Sequence, residues 1–132
     1  MNYIVDTSVW SQALRREHHR ETEEVRKLAI LLSEGERIFL PGIILQEILQ
    51  GVQRSEQFKQ IREALSCFPV PETGRDDYVF AAELFNHCRS KGVQAATVDF
   101  MIASLAIRHK CLLLTSDKDF VHIARHSDLK LL

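Results

Sequence analysis

Several acidic residues stand at positions of this sequence where a carboxylate can do chemistry. Asp6 directly follows the apolar run YIV, and Asp117 comes shortly after the apolar run CLLL. Asp99 lies in the first turn of a predicted helix and heads a face of that helix that is otherwise apolar. Glu47 lies at the margin of an apolar helical stripe, and a further acid, Asp119, follows close behind Asp117.

A fold that gathers such groups needs a compensating positive charge. Two carboxylates about 4 Å apart repel each other by roughly 4 kcal/mol at an effective dielectric constant near 20. Lys118 is the sole basic neighbour of these acids in the sequence. Divalent cations such as Mg²⁺ prefer oxygen ligands and are commonly bound by one or two carboxylates together with waters and substrate phosphates. The acids therefore predict a metal site for phosphate chemistry.

Each acid also has a simpler interpretation when it is considered alone. Asp6 fits the N-cap of the helix that follows it, and Asp117 or Asp119 fits the cap of a later short helix. Asp99 would complement the dipole of its helix for about 0.3–1 kcal/mol. Glu47 on its own is typical of a solvated flank residue. The metal site thus requires a fold that brings these acids together.

Short apolar strands and amphipathic helices alternate along the chain. The predicted strands are YIVD, RIFLP, FPVPET (an edge strand), CLLLTSD and LKLL, and the predicted helices are TSVWSQALRRE, HRETEEVRKLAILLSEG, GIILQEILQG, SEQFKQIREALSCF, DDYVFAAELFNHCRSKG, TVDFMIASLAIRH and KDFVHIAR. Thr7 or Ser8, Ser55 and Thr97 are the expected helix caps. Strands this apolar predict an α/β fold whose parallel sheet is covered by helices on both faces.

The predicted sheet gives the acids a common location. In open α/β sheets, ligands bind outside the carboxyl ends of the strands, at the point where the strand order reverses. Asp6 and Asp117 both follow strands and would emerge at this edge. The helix that carries Asp99 can begin at the same edge if a loop precedes it there.

Composition bounds the class of protein. A chain of 132 residues fits one domain. Its 17 basic and 18 acidic side chains give a net charge of −1, which neither requires nor excludes a nucleic-acid partner. The cysteines Cys67, Cys88 and Cys111 are widely spaced and flanked by apolar residues, so we expect reduced core thiols. Neither a signal peptide nor a membrane-spanning run is predicted, and a cytoplasmic protein is expected.

The segments IVDTSVW, LQEIL, TVDFMIASLA and LLTSDKDF, taken together and in this order, resemble the PIN-domain ribonucleases. The resemblance is strongest to the VapC-like toxins of bacterial toxin–antitoxin pairs. It runs from Tyr3 to near the C-terminus and keeps the family's order of acids. DTS alone is a weak motif, whereas the acids in their expected local contexts form a specific one.

The resemblance implies a single PIN domain over residues 1–132, with a PIN-like three-layer α/β/α sandwich around a central parallel sheet. It also implies an endoribonuclease that uses Mg²⁺, or alternatively Mn²⁺, to cleave single-stranded or looped RNA. The catalytic acids of the family match Asp6, Glu47, Asp99 and Asp117, its metal ligands match Asp6, Asp99 and Asp117, and its supporting positions match Ser8, Thr115 and Asp119. Phe100 departs from the polar or small residue often found at its position, which bears on the lining of the pocket.

RNA and protein partners are the remaining expectations. The candidate RNA-binding residues are Arg15, Arg16, Arg20 and Lys91, with Arg89, Arg108 and Lys110 as further rim cations. Each of them has the alternative interpretation of an ordinary solvated helix end. The resemblance implies a homodimer and a small cognate antitoxin that covers the active-site groove. The apolar helices VRKLAILL and GIILQEILQGV would serve either as interfaces or as buried core elements.

Other classes of protein fit the sequence less well. A haloacid-dehalogenase-like phosphatase needs a second acid where Ser8 stands, and a response-regulator receiver needs an acidic pair earlier than Asp76 and Asp77. A dinucleotide-binding domain needs a glycine-rich turn that DTSVW lacks. A PIN-like fold kept as a catalytically silent binding module is the main alternative. Such a module would usually have lost an acid, whereas this sequence keeps all of them.

Overall fold

The computed structural model describes residues 1–14 and 21–132, and the candidate RNA-binding residues Arg15, Arg16 and Arg20 lie outside these ranges. Strands and helices alternate as the hydrophobic pattern predicts. In chain order the elements are β1 (Asn2–Val5), α1 (Thr7–Leu14), α2 (Glu23–Ser33), β2 (Arg37–Phe39), α3 (Gly42–Gln50), α4 (Ser55–Leu65), α5 (Arg75–Ser90), α6 (Thr97–Arg108), β3 (Cys111–Leu114), α7 (Lys118–Arg125) and β4 (Lys130–Leu131).

The strands form one parallel sheet in the order β2-β1-β3-β4. β1 pairs on one side with β2, where Asn2 lies opposite Arg37, and on the other side with β3, where Asn2 lies opposite Cys111. Ile4, Val5, Leu113 and Leu114 are each 0–1% exposed, so the centre of the sheet is buried. Such burial requires cover on both faces. The predicted three-layer α/β/α architecture is confirmed.

The strand order reverses between β1 and β3. The chain moves from β1 to β2 in one direction, then returns past β1 to reach β3 and β4. Connections between parallel strands are nearly always right-handed, so the two directions place their helices on opposite faces. The gap between these faces opens at the carboxyl ends of β1 and β3. The residues directly after Val5 and Leu114 therefore line the crevice expected to bind ligands.

An ion pair fixes the direction of α5 against α6. Nε of Arg108, at the end of α6, donates to Oδ1 of Asp77, at the start of α5, over 2.8 Å. Oδ2 of Asp77 accepts from the Gly74 N–H at 2.9 Å. The Gly74 N–H, and after it Arg108, hold the pKa of the buried Asp77 below its ordinary value although burial opposes them. The helices thus run antiparallel, and α5 ends beside the start of α6.

Several local expectations were wrong. FPVPET forms no strand, and its contact with the sheet region is a hydrogen bond of 2.8 Å from the Leu40 N–H to the Pro69 carbonyl. Ala96 and Arg54 are the N-cap residues of α6 and α4, so Thr97 and Ser55 are the first residues inside those helices.

Side chains of the apolar helices mostly belong to the core. Val25, Leu28 and Leu31 of α2 are buried, whereas Ile30 and Leu32 remain 53% and 47% exposed. Ile44 and Ile48 of α3 are also buried. These helices therefore serve the core, and α2 leaves two apolar side chains on the surface.

The cysteines and Phe100 differ in part from expectation. Cys88 and Cys111 are buried free thiols as predicted, but Cys67 is exposed. Phe100 is 2% exposed and packs edge-on against Phe85 with 5.1 Å between ring centroids. It therefore lies in the packing between α5 and α6. Within residues 1–14 and 21–132, every helix is too short or too polar to cross a bilayer.

Candidate active site

Asp6 is held rigidly at the carboxyl end of β1. Its backbone N–H donates to the Leu114 carbonyl over 2.8 Å, which extends the pairing of the two central strands by one residue. Its side-chain Oδ2 accepts hydrogen bonds from Ser8 Oγ at 2.7 Å and from Thr115 Oγ1 at 3.0 Å. Asp6 is only 5% exposed. Ser8 and Thr115 are thus positioned to orient the Asp6 carboxylate.

The start of α1 does not use a side-chain cap from the expected residues. Val9 and Trp10 donate their N–H groups to the backbone carbonyl of Asp6. The Thr7 hydroxyl donates to Oε1 of Glu47 over 2.8 Å, while the Ser8 hydroxyl donates to the Asp6 side chain. The expectation that Thr7 or Ser8 caps this helix was therefore wrong. Both hydroxyls instead hold acidic side chains.

The loop after β3 places Asp117 and Asp119. The Asp117 N–H donates to Thr115 Oγ1 over 3.0 Å, and the Asp119 N–H donates to Oδ1 of Asp117 over 2.9 Å. Asp117 is therefore the N-cap of α7, one of the simpler interpretations of the sequence. A carboxylate has two oxygens, so capping α7 with Oδ1 leaves the second oxygen available to a ligand.

Asp99 lies at the third position of α6, where the helix begins beside the same crevice. Its Oδ2 accepts from the Ala96 N–H over 3.1 Å, which satisfies one of the unpaired donors at the helix start. Burial raises the pKa of Asp99 to about 6, with further increases from the negative charges of Asp117, Asp6 and Asp119. The Ala96 N–H opposes these effects. The shift is therefore a sign that several carboxylates share this region.

Asp99, Asp117 and Asp119 form the one group of three potential metal ligands found among the described residues. One carboxylate oxygen from each lies within 4.8 Å of the others, a spacing that suits a shared metal ion. Asp6 falls outside this group although its charge acts on Asp99. Asp119, predicted only as a supporting residue, lies inside it. The cluster therefore differs from the predicted ligand set of Asp6, Asp99 and Asp117 by one member.

No described cation neutralises this cluster within ion-pair distance. The ion pairs formed by residues 1–14 and 21–132 are Lys27 with Glu23 and Arg108 with Asp77. Both lie outside the site. Among the described residues, these acids are thus gathered without an ion-paired counter-charge, a condition in which a bound cation would relieve their mutual repulsion.

Glu47 lies on the α3 side of the crevice. The hydrogen bond from Thr7 joins it to the residue directly after Asp6, across 40 positions of sequence. Glu47 is not a member of the three-acid cluster. Its second carboxylate oxygen makes no hydrogen bond with another described residue. The structure therefore places Glu47 beside the cluster as a separate carboxylate.

A polar network that includes Gln12 and Ser116 was not predicted from the sequence. Gln12 Nε2 donates to Ser116 Oγ at 3.4 Å, and Gln12 Oε1 accepts from Thr22 at 3.1 Å. The Ser116 N–H donates to Ser8 Oγ at 3.3 Å. The only sequence signal was the polar face of α1. The network connects the β3–α7 loop to α1 and to the start of α2.

The described rim cations separate into two groups. Arg89 and Lys91 lie at the end of α5, which the antiparallel packing places near the start of α6 and Asp99. Arg108 is paired with Asp77 at the far end of α6, roughly 14 Å along the helix from Asp99. Arg108 is thus engaged with Asp77, and both it and its neighbour Lys110 lie at the end of α6 away from Asp99. Their role as rim cations stays a prediction, as does that of Lys91.

Comparison with known proteins places this geometry in a family. The model of the PIN domain matches residues 3–126. The VapC ribonuclease Mb1587 of Mycobacterium bovis is 30% identical over 129 residues, which cover 96% of this chain and 95% of the relative. Ribonuclease VapC11 of Mycobacterium tuberculosis matches with the same identity and coverage.

Solved structures agree with these relatives on the fold. VapBC2 from Rickettsia felis, bound to a DNA fragment from their promoter, superposes with a TM-score of 0.80 at 22% identity and covers 100% of this chain and 98% of its own. FitAcB from Neisseria gonorrhoeae gives a TM-score of 0.77 at 22% identity, with 100% and 96% coverage. The resemblance seen in the acidic motifs is thereby confirmed, and the chain belongs to the PIN-domain family.

Proposed function

We propose that this protein is a metal-dependent endoribonuclease that acts as a toxin and is neutralised by a cognate antitoxin. The observation that carries the proposal is the convergence of Asp99, Asp117 and Asp119 within 4.8 Å beside the buried Asp6. Relatives named VapC ribonuclease, which match nearly the whole chain, support ribonuclease activity and not merely a shared fold. Single-stranded or looped cellular RNA in the cytoplasm is the proposed substrate.

The donor set fits a hard divalent cation. All the candidate ligands are carboxylates, and the pKa of Asp99 is raised first by burial and then by the negative charges of Asp117, Asp6 and Asp119, which a cation would offset. Asp99, Asp117 and Asp119 would hold Mg²⁺ or Mn²⁺, with Asp6 as a further ligand, directly or through water. When bound, the ion would lower the pKa of a coordinated water and neutralise charge on the scissile phosphate.

The side chains around the ion have separate tasks. Ser8 and Thr115 keep the Asp6 carboxylate in one orientation, because both donate to its Oδ2. Glu47 has one oxygen held by Thr7 and the other available, so it can orient a water and accept its proton. Asp117 is the alternative base, but one of its oxygens already caps α7. In-line attack of that water on phosphorus would leave a 5′-phosphate and a 3′-hydroxyl.

Protein partners follow from the same relatives. Similar solved structures are described as VapBC assemblies, and the one from Rickettsia felis is bound to a DNA fragment from their promoter. We propose that this chain likewise forms a homodimer and binds a small antitoxin over its acidic crevice. Light scattering of the chain alone and with the antitoxin would measure both assemblies.

Incubation of the purified protein with total RNA in Mg²⁺, Mn²⁺ or EDTA tests the proposed activity. Cleavage should require the metal and should fall by at least 100-fold in Asp99→Asn, which keeps the shape of the side chain but removes its charge. Asp128→Asn, at an exposed acid outside the site, is the matched control. Cleavage that persists in EDTA and in Asp99→Asn would contradict the mechanism. Tight RNA binding without cleavage would favour a silent binding module.

A further inference from the structure

A cavity of about 370 Å³ lies between α1, α3 and α4, next to the acidic crevice. Its volume falls in the range of roughly 300–1,000 Å³ typical of ligand pockets. The catalytic scheme above uses only one of the residues that line it, Glu47. The cavity is therefore a separate space that shares one wall with the proposed active site.

Glu47 connects the cavity to the acids. It lines the cavity and also accepts the 2.8 Å hydrogen bond from Thr7, which directly follows Asp6. A strand of RNA whose scissile phosphate reached Asp6 and Asp99 would pass this wall on one side of the cut. The base next to that phosphate would then be the part of the substrate closest to the cavity, because Glu47 is shared by the cavity wall and the side of the crevice.

The far wall carries polar side chains of the types that read base edges in nucleic-acid-binding proteins. Gln53, Arg54 and Gln57 line the cavity, and their side chains make no hydrogen bond or ion pair with another described residue. Buried Ile48 and Ile61 supply an apolar surface beside them. Arg pairs with guanine and Gln with adenine through paired hydrogen bonds, and unstacked bases of single-stranded RNA expose those edges.

A second cavity differs from the one beside Glu47 in the polarity of its lining. The space between α5 and α6, about 470 Å³, is lined mainly by apolar side chains such as Tyr78, Phe85 and Met101, and its lining includes no charged residue. That surface suits an apolar partner. The cavity beside Glu47 instead combines an arginine, amides and an acid, which suits a polar, planar ligand.

We propose that the cavity beside Glu47 binds the base adjacent to the scissile phosphate and so sets the sequence preference of the enzyme, with Arg54 and Gln57 as the reading side chains. This inference rests on the proposed ribonuclease function. Purines are the expected bases, since Arg and Gln form their paired contacts with purine edges.

Cleavage of a randomised single-stranded RNA pool, followed by sequencing of the product ends, tests the proposal. The wild-type chain should prefer a purine at one fixed position beside the cut. Arg54→Ala and Gln57→Ala should reduce that preference by about fivefold or more at that position alone, since a good paired contact discriminates by roughly 5- to 100-fold. Lys59→Ala and Gln60→Ala are matched controls on the exposed surface of α4 outside the cavity, and should leave the preference unchanged.

Binding measured without cleavage separates this inference from the ribonuclease proposal. Fluorescence anisotropy of a labelled single-stranded RNA in EDTA should show at least fivefold weaker binding by the two cavity variants than by the two controls. A wild-type chain that binds in this way but never cleaves would contradict only the ribonuclease proposal. Unchanged preference and binding in the cavity variants would overturn the base-binding proposal. The base-binding proposal would also be overturned if the cavity variants lost antitoxin binding while their RNA binding stayed intact.

Discussion

The Thr115 hydroxyl donates a 3.0 Å hydrogen bond to Oδ2 of Asp6, across 109 positions of sequence. The bond joins the residue after β1 to the residue after β3, at the point where the strand order reverses. Thr115 also accepts from the N–H of Asp117 at 3.0 Å. One hydroxyl therefore fixes both the acid of the first strand and the loop that carries two more acids.

Thr115→Val should weaken metal binding and cleavage while leaving the fold intact. Valine keeps the shape of the side chain but removes both hydrogen bonds, so Asp6 and Asp117 lose their orientation. Loss of such an outer contact typically costs about 10- to 100-fold in metal affinity. Isothermal titration with Mn²⁺ and cleavage rates measure the effect. Thr115→Ser keeps the hydroxyl and should retain most of the affinity; equal losses in both variants would contradict the argument.

Asp119→Asn should weaken metal binding about tenfold or more, because Asp119 belongs to the three-acid cluster. The sequence placed it only in a supporting role, so this variant distinguishes the observed cluster from the predicted ligand set. Asp128→Asn is the control for loss of an exposed acid. Metal titration of both variants gives the comparison. An Asp119→Asn variant that binds Mn²⁺ as tightly as the wild type would remove Asp119 from the site.

Metal binding should strengthen as the pH rises through about 6. Asp99 has a pKa raised to about 6 by burial and by neighbouring acids. Below this pH it carries a proton that the metal must displace, and above it the carboxylate is free. Manganese titrations between pH 5 and 7.5 should show this dependence in the wild type, with proton release on binding. An affinity that does not change across this range would contradict the assignment.

The metal-free protein should show the opposite trend in stability. The Asp99 pKa is raised from an ordinary value of 3.8 to about 6, so the folded state binds more protons than the unfolded state between these values. The contribution of this group is fully present below about pH 4 and is lost as the pH rises through 6. Asp99→Asn should therefore raise the melting temperature in EDTA at pH 7.5. A lower melting temperature would show that the charged carboxylate stabilises the fold.

Arg108→Ala should lower stability and leave cleavage unchanged at temperatures well below the unfolding midpoint. Removal of the guanidinium leaves the buried Asp77 with only the Gly74 N–H. Since Arg108 is 38% exposed, water replaces part of the interaction, and we expect a loss of about 1–2 kcal/mol. Urea unfolding measures it. Lys27→Ala, which breaks the exposed 3.8 Å pair with Glu23, should cost no more than about 0.5 kcal/mol.

Lys91→Ala should reduce RNA affinity and its dependence on salt. Lys91 is the C-cap residue of α5, which runs antiparallel to α6 and so ends on the side where α6 begins; there it would contact a phosphate of the bound strand. Loss of one phosphate contact lowers the slope of log K against log salt by about 0.7 for a single strand. Anisotropy titrations at several salt concentrations give the slope. The control is Lys110→Asn, which removes a charge at the far end of α6. Asparagine tolerates the positive φ of 54° at this position, so the backbone should not change. This variant should leave the slope unchanged.

The sequence predicts most of the helices and strands because the spacing of apolar residues in a helix, and the short apolar runs of buried strands, are visible within a few neighbouring residues. All the helices and four of the strands appear near their expected positions. FPVPET failed because Pro69 and Pro71 have no N–H to donate to a ladder, and the segment makes a single carbonyl contact with Leu40. The N-cap of α6 is Ala96 and not the expected Thr97, because the Asp99 carboxylate accepts a hydrogen bond from the Ala96 N–H.

The cluster itself was only partly predictable. Motifs identified the acids, but which oxygens meet depends on distances between residues more than 15 positions apart in sequence, such as Asp99 and Asp119. Asp119 belongs to the cluster because it lies in the first turn of α7, which Asp117 caps and which packs against α6. The hydrogen bonds of the Thr7 hydroxyl and of the Gln12 amide could not be read from the sequence beyond the polar character of that face of α1, since a polar residue near a helix start has many uses.

The loop between α4 and α5 divides the acids into two sets. Asp6 and Glu47 precede it, together with the pair of strands β1 and β2, whereas Asp99, Asp117 and Asp119 follow it with β3 and β4. A chain opened between residues 66 and 74 would give two fragments, each with an incomplete set of carboxylates and with the hydrogen-bonding edge of β1 or β3 unpaired. Nuclease activity would then return only when the fragments reassociate through β1 and β3. The fold thus contains a natural place to make a split enzyme whose cleavage of RNA reports on reassembly.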